Sequence, residues 1–271
     1  MEDEAALISL SRARAQLFPF SVDIGDSARI IGSDSRSWSV EMKVIYGKEV
    51  PTEPHELVDP STTALVIIDY QNDCCTEGGT AHEAGADLSM YKTTISQTAR
   101  FAALCRQMGV PVIHVAMCTL PDGKSDSASW IRLRMRANKN YDPNNEGVWN
   151  FMLQGTWGAE FVEALKPQPG DQVVTKFRSS AIINTNLDLI LRSNGIRNVL
   201  VAGCTTEGCV ESTVRDLGFY DYFPVVLSDC VGTDSRELHE ASMLVMSAYR
   251  ADVMTSSQVT SIWEERRRKV G

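Results

Sequence analysis

The sequence predicts an α/β fold, a three-layer α/β/α sandwich built on a mostly parallel sheet of about six strands. Two observations favour this class. Short, continuous apolar runs such as Ala64–Ile68 (ALVII) are typical of strands that are buried on both faces. From residue 62 onward such runs alternate with helical stretches, an order typical of parallel βαβ units with right-handed crossovers.

The individual elements are predicted from apolar patterning and from turn residues. The predicted strands are Ala64–Ile68, Val110–Val115, Gln172–Thr175, Val199–Ala202, Phe223–Leu227 and Asp252–Met254. The predicted helices are Leu88–Met108, Ala159–Leu165, Asn184–Asn194 (capped by Gly195), Gly208–Leu217, Arg236–Tyr249 and Ser256–Arg267. Residues 119–157 are polar and irregular, with Trp130, Trp149 and Trp157, and long loops of this kind are often functional.

The first 60 residues differ from the rest and are predicted to form an N-terminal extension or arm, with the main domain at 61–271. Ala5–Leu17 is amphipathic and indicates a helix. Ser37–Tyr46 alternates loosely, as in a strand or hairpin arm. Pro51–Pro60 holds three prolines and indicates an extended linker.

Composition limits the setting and the partners. The chain has 271 residues, 43% of them hydrophobic, which is enough for a sizeable core. Its net charge of -9 argues against a general affinity for nucleic acid or for anionic membranes. No apolar run reaches the roughly 20 residues of a membrane span, and the acidic N-terminus does not resemble a secretion signal. The seven cysteines include no CxxC pair, so we expect a reducing, cytoplasmic setting.

Three reactive side chains come after different predicted strands. Asp69 comes directly after ALVII, Lys176 after QVVT, and Cys209 at the start of a helix after VLVA. In open α/β sheets ligands bind beyond the carboxyl ends of the strands, so the three should meet there. A base, an ammonium and a thiol suit acyl transfer. Taken singly, each has an ordinary alternative: a helix cap, a solvated lysine and a buried structural cysteine.

The segments around these residues resemble a known family. LVIIDYQND, VVTKFRSS and VLVAGCTTEGCVESTVRD are similar to the three signature blocks of the isochorismatase-like cysteine hydrolases, over about residues 62 to 255. The ureidoacrylate amidohydrolase and biuret hydrolase branch looks most similar, through the run LKPQPGDQVVTKFRSSAIINTNLDLILRSNGIRNVLVAGCTTEGCVESTVRD. Three positions depart from the pattern, Cys74, Phe177 and Ser179, and they put the substrate rather than the chemistry in question.

The resemblance implies a Rossmann-like topology and a metal-independent amidohydrolase that acts on a small ureide or amide. It implies that Asp69, Lys176 and Cys209 form the catalytic triad. It also implies a cis peptide between Cys204 and Thr205, which would direct the N–H groups of Thr205 and Cys209 at an oxyanion. A homo-oligomer, dimer or tetramer, is expected on the same ground.

Four further residues are candidates for substrate binding. Gln71 and Asn72 could hydrogen-bond a planar amide, although a structural role in the loop fits equally well. Arg178 could hold a substrate carboxylate or be a surface arginine, and Trp157 could line the pocket or pack in the core.

We expect neither a metal nor a cofactor for the reaction. The nicotinamidase branch carries two closely spaced histidines, whereas this chain has only His55, His82, His114 and His239, with no HxH pair. A glycine-rich phosphate loop is also lacking in the sequence.

Other functions stay open at this point. The chain could be a different small-amide hydrolase, of the N-carbamoylsarcosine or nicotinamide type. A catalytically silent binding subunit is a second alternative. A thiol redox protein that pairs Cys204 with Cys209 is disfavoured by their spacing on a turn.

Overall fold

The structure, a computed structural model, describes residues 42–137 and 151–270. Its strands are β1 (Lys43–Ile45), β2 (Lys48–Val50), β3 (Thr63–Ile68), β4 (Val112–Met117), β5 (Gln172–Lys176), β6 (Asn198–Cys204), β7 (Phe223–Gly232) and β8 (Asp252–Met254). Its α-helices are α1 (Asn72–Cys75), α2 (Thr80–Glu83), α3 (Ser89–Gln107), α4 (Ala128–Ala137), α5 (Leu187–Ser193), α6 (Glu211–Phe219), α7 (Arg236–Tyr249) and α8 (Ser256–Val270).

Six of these strands form one parallel sheet in the order β5-β4-β3-β6-β7-β8. The chain therefore runs outward from β3 to one edge and then from β6 to the other. This is the Rossmann order, and the direction in which strands are added reverses between β3 and β6. The predicted fold class is confirmed.

The sheet separates two apolar cores, because successive residues of a buried strand face opposite sides. On β3, Leu65 and Ile67 join the core that includes residues of α3 and α8. Ala64, Val66 and Ile68 of the same strand join the core on the side of α5 and α6. The alternation explains why this strand is apolar at every position.

Several element boundaries differ from the prediction. Ala159–Leu165 is not an α-helix but two single 3-10 turns, Trp157–Ala159 and Glu163–Leu165. Backbone pairing of Gln71 with Phe161 lies between the two turns and holds the segment extended. Residues 119–157 were predicted to be irregular but contain α4. Residues 138–150, with Trp149, lie outside the described residues.

The segment before β3 packs onto the main sheet instead of forming an extended linker. Leu57 and Val58 are buried in the core beside α8, and Trp263 Nε1 donates to the Val58 carbonyl at 2.6 Å. β1 and β2 form a hairpin through Tyr46 and Gly47, whose positive φ values of 51° and 75° are typical of a type I′ turn. The predicted helix Ala5–Leu17 and residues 37–41 of the predicted strand lie outside the described residues, and a boundary at residue 60 stays a prediction.

None of the helices in the described ranges is long and apolar enough to cross a bilayer.

Candidate active site

The three reactive residues lie at the carboxyl ends of three strands. Asp69 comes directly after β3, and Lys176 is the last residue of β5 rather than the first residue after it. Cys209 lies in a π-helical turn, Thr206–Val210, which connects β6 to α6. Because β3 and β6 are neighbours at the point where strand order reverses, Asp69 and Cys209 border the crevice where ligands bind in such sheets.

Lys176 connects the other two side chains. Its Nζ lies 2.7 Å from Asp69 Oδ2 and 3.1 Å from Cys209 Sγ. A third bond, of 3.0 Å, runs from Nζ to the carbonyl oxygen of Arg178, and Met117 Sδ lies 3.6 Å away. The Lys176 side chain is fully buried, so its ammonium is held by these partners instead of by water.

Burial and charge set the protonation of this group. Burial raises the pKa of the Asp69 carboxyl, and the neighbouring Lys176 charge offsets part of that rise. Burial and the Asp69 charge raise the pKa of the Cys209 thiol, while Lys176 again acts in the opposite direction. Burial alone would lower the pKa of Lys176, but Asp69 and Cys209 together outweigh this effect and the net shift is upward. These shifts favour a charged Lys176 ammonium and a neutral Cys209 thiol in the resting site.

Asp69 has one carboxylate oxygen that the protein leaves available. Oδ2 pairs with Lys176, whereas Oδ1 is buried and has no hydrogen-bond partner in the described structure. The Asp69 backbone is left-handed, with φ of 54°, which is uncommon for a residue other than glycine. An unpartnered oxygen on a carboxylate of raised pKa has the properties of a general base.

The turn around Cys209 contains the backbone feature that the resemblance implied. The peptide bond between Cys204 and Thr205 is cis. The Thr205 carbonyl accepts hydrogen bonds from the N–H groups of Gly208 (3.1 Å) and Val210 (3.2 Å), the two residues that flank Cys209. These bonds fix the backbone on both sides of the thiol.

The chain is similar to a known protein family over most of its length. The Isochorismatase domain family matches residues 63–258, most of the chain. The chain belongs to the isochorismatase family. The resemblance of the signature blocks, over about residues 62 to 255, is confirmed.

Relatives of this isochorismatase-family chain include named enzymes. The chain is 37% identical over 185 residues to a ureidoacrylate amidohydrolase of Agrobacterium fabrum, covering 66% of this chain and 80% of that protein. An isochorismatase family protein of Burkholderia thailandensis is 30% identical with a TM-score of 0.61, covering 76% of this chain and 97% of that one. The N-carbamoylsarcosine amidase of Thermoplasma acidophilum is 26% identical with a TM-score of 0.56, over 72% and 96%.

Gln71 was predicted to contact substrate, but its carboxamide is occupied by the backbone. Nε2 donates to the carbonyls of Met117 (2.9 Å) and Ala159 (2.7 Å), and Oε1 accepts from the Met117 N–H at 2.8 Å. Both N–H bonds of the amide are thereby used. Gln71 thus joins β4 to the segment around Ala159, which is the structural role that the sequence left open for it, and its contact with a substrate stays a prediction.

Asn72 is also tied to the protein. Its Nδ2 donates to the Trp157 carbonyl at 2.9 Å, and its Oδ1 accepts from Thr76 Oγ1 at 3.2 Å.

Trp157 is 49% exposed, which excludes the core-packing alternative for this residue. Whether Trp157 lines the pocket stays a proposal.

Arg178 is held against the segment that precedes and begins α4. Its guanidinium lies 5.2 Å from the centre of the Trp130 ring and donates to the carbonyls of Ser125 (3.0 Å) and Phe177. No carboxylate of the described residues forms an ion pair with it. Among the described residues, the cation is therefore positioned by an aromatic ring and backbone carbonyls and not by a carboxylate.

Two acidic residues that lie close in sequence to Asp69 and Cys209 were not singled out from the sequence. Asp73 is buried, and its carboxylate accepts from the N–H of Met152 (2.6 Å) and from the hydroxyl of Thr80 (2.8 Å). Glu207, two residues before Cys209, accepts from Thr233 Oγ1 at 3.1 Å, and burial raises its pKa. The only feature of the sequence that could have pointed to these two residues is their position close to Asp69 and Cys209. Position in the sequence does not show which groups a side chain contacts.

Proposed function

We propose that this chain is a cysteine-dependent amidohydrolase that cleaves a C–N bond of a small ureide or amide of the ureidoacrylate or biuret type. The observation that carries the proposal is the position of Lys176 Nζ, 2.7 Å from Asp69 and 3.1 Å from Cys209. A partly buried thiol beside both a base and a cation is the arrangement of an activated nucleophile. The names of the relatives support the same class of reaction.

The first half-reaction forms a covalent intermediate on Cys209. Asp69 takes the thiol proton, and the sulfur bonds to the carbonyl carbon of the substrate. The N–H groups of Thr205 and Cys209 stabilise the resulting oxyanion, an effect worth on the order of 100- to 1000-fold in rate per donor. As the oxyanion collapses, the C–N bond breaks and the departing amine takes the proton from Asp69.

The second half-reaction regenerates the thiol. Asp69, again a carboxylate, removes a proton from water, and the hydroxide adds to the thiocarbamate or thioester carbon. The C–S bond then breaks, the carbamate or acid leaves, and the proton returns to the sulfur. Throughout, the Lys176 ammonium balances the negative charge that moves between Asp69 and Cys209.

A carboxylate-bearing ureide is the substrate that Arg178 favours. Its guanidinium is fixed by the Trp130 ring and by two backbone carbonyls, and it has no carboxylate partner in the described part of the chain. A guanidinium in this state can bind an anionic group through paired N–H donors. Ureidoacrylate carries such a group, whereas biuret does not.

Mass spectrometry of the intact protein tests the proposal. We expect brief incubation with ureidoacrylate to add the mass of a carbamoyl group to the wild-type chain. The Cys209→Ala variant should show no adduct and should lose turnover by about 1000-fold or more, while Cys105→Ala, a buried cysteine elsewhere, should retain both. Biuret, N-carbamoylsarcosine and nicotinamide, with ammonia detection, complete the panel. Turnover by a folded Cys209→Ala chain would refute the cysteine mechanism.

A further inference from the structure

Three buried thiols lie together outside the catalytic triad. Cys204 Sγ is 3.5 Å from Cys75 Sγ and 3.7 Å from Cys74 Sγ, and all three sulfur atoms lie within 4.8 Å of one another. We call Cys74, Cys75 and Cys204 the trithiol cluster. It belongs to the core on the side of α3 and α8, whereas Cys209 packs against the core on the opposite side. The triad therefore does not account for it.

The spacing of the sulfur atoms suits a tetrahedral metal ion. Zinc–sulfur bonds are about 2.3 Å long, so two thiolates on the same tetrahedral ion lie about 3.8 Å apart. The two distances to Cys204, 3.5 and 3.7 Å, are close to that edge length. An ion at the centre would require only small shifts of the three side chains.

We propose that the trithiol cluster binds a thiophilic divalent cation of the Zn²⁺ and Cd²⁺ class. Three sulfur donors select soft ions over Mg²⁺ and Ca²⁺, which prefer oxygen. The carbonyl oxygen of Asp69 lies 3.1 Å from Cys204 Sγ and is a candidate fourth donor. This site lies beyond the proposed hydrolase reaction and takes no part in its steps.

The ligand form of cysteine is the thiolate, so each sulfur of the cluster must lose its proton before it binds the ion. Cation binding by three thiols releases three protons and leaves three metal–sulfur bonds, so the affinity should rise with pH.

Titration with Cd²⁺ in a Cys209→Ala background tests the site, because the catalytic thiol is then absent. With a phosphine reductant present, we expect about one equivalent of Cd²⁺ to produce a thiolate-to-cadmium charge-transfer band and a rise in melting temperature. Adding Cys75→Ser or, separately, Cys74→Ser should weaken binding by tenfold or more. Adding Cys105→Ser, a buried thiol outside the cluster, should leave the affinity unchanged, and Mg²⁺ should produce no band.

Two results would overturn the assignment. One is the absence of a charge-transfer band at any Cd²⁺ concentration that leaves the protein folded. The other is equal Cd²⁺ affinity in the background and in both serine variants, each shown by circular dichroism to be folded. Because every chain in this experiment lacks the proposed nucleophile, its failure would leave the hydrolase proposal untouched.

Discussion

At the scale of single residues, Lys176 decides whether the site can hold a negative charge. Asp69 is buried and Cys209 is partly buried, and the loss of surrounding water raises the pKa of each. The buried ammonium is the group that opposes this rise for both. Deprotonation of Asp69 or Cys209 near neutral pH therefore depends on the Lys176 ammonium.

The first prediction concerns Lys176→Met. Without the ammonium, ionisation of the Asp69–Cys209 pair should need a higher pH. We expect the rate of iodoacetamide alkylation of Cys209 at any pH up to about 10 to fall by about 10- to 1000-fold, because loss of an opposite charge at this distance typically raises a pKa by about 1 to 3 units. Mass spectrometry of the Cys209 peptide between about pH 5 and about pH 10 measures the alkylation rate.

Lys166→Met is the matched control for this substitution. Lys166 pairs with Glu163 on the surface and is 46% exposed, so its loss should leave the alkylation profile where it was. Loss of a buried charge partner typically costs about 3 to 5 kcal/mol, so the melting temperature of Lys176→Met should fall as well. An unchanged alkylation profile in folded Lys176→Met would contradict the assigned role of the lysine.

At the scale of elements, the site depends on the close approach of β3 and β6. Gly203 lies near the end of β6 with φ of 133°, a backbone conformation that other residues rarely adopt. A Cβ at this position would lie 2.3 Å from the carbonyl oxygen of Ile68. Glycine thus allows the two strands to deliver Asp69 and the Cys209 turn to the same crevice.

The second prediction is that Gly203→Ala strongly destabilises the protein. The added methyl group collides with backbone that belongs to a central strand, which cannot yield without breaking sheet hydrogen bonds. We expect a loss of roughly 2 kcal/mol or more in the free energy of unfolding, measured by urea denaturation.

Gly218→Ala provides the comparison within the same chain. Gly218 lies in α6 with open space where its Cβ would be, so alanine should be neutral or stabilise the helix by up to about 1 kcal/mol. If the two substitutions changed the free energy of unfolding equally, the close approach of β3 and β6 would not require glycine at position 203.

At the scale of the whole molecule, the chain buries six of its seven cysteine thiols. Cys74, Cys75, Cys105, Cys118, Cys204 and Cys230 are all buried and free. Burial raises the pKa of most of them, and for Cys230 burial and the nearby Asp229 charge raise it to about 12. Such thiols stay protonated in the folded state at a pH where the unfolded chain ionises.

The third prediction is a loss of stability in alkali. The unfolded thiol has a pKa of 9.0 and the folded Cys230 thiol about 12, so the folded state binds more protons between these values. The free energy of unfolding must then decrease as pH rises above about 9. Between about pH 8 and about pH 10, wild type should lose about 1 kcal/mol more than Cys230→Ala.

Urea unfolding of both chains under reducing conditions measures this difference. The relevant quantity is the change with pH and not the absolute stability, because Cys230→Ala also leaves a small cavity. Parallel pH dependence of the two chains would contradict the assigned burial of Cys230.

The assembly of the protein stays a prediction at this scale. The expected dimer or tetramer comes from resemblance alone, and gel filtration with light scattering can measure it directly.

The sequence pattern by itself determined the layers and the three strand-end residues, whereas the Rossmann-like strand order was implied by the family resemblance. Continuous apolar strands such as β3 alternate with helices, and parallel topology then places the strand ends together. Layers and strand-end positions are properties of local pattern and chain direction, so they can be predicted without knowing any contact.

Only the tertiary structure decided what the individual polar side chains do. Gln71 lies two residues after Asp69, a position at which a ligand-binding side chain is expected. Its amide instead donates hydrogen bonds to the carbonyls of Met117 and Ala159, 46 and 88 residues away in the chain. The trithiol cluster likewise joins α1 to the end of β6. Whether a polar side chain is available to a ligand depends on the hydrogen bonds that it forms with segments distant in the chain. A sequence pattern does not show how those segments are oriented relative to one another, so it does not predict these hydrogen bonds.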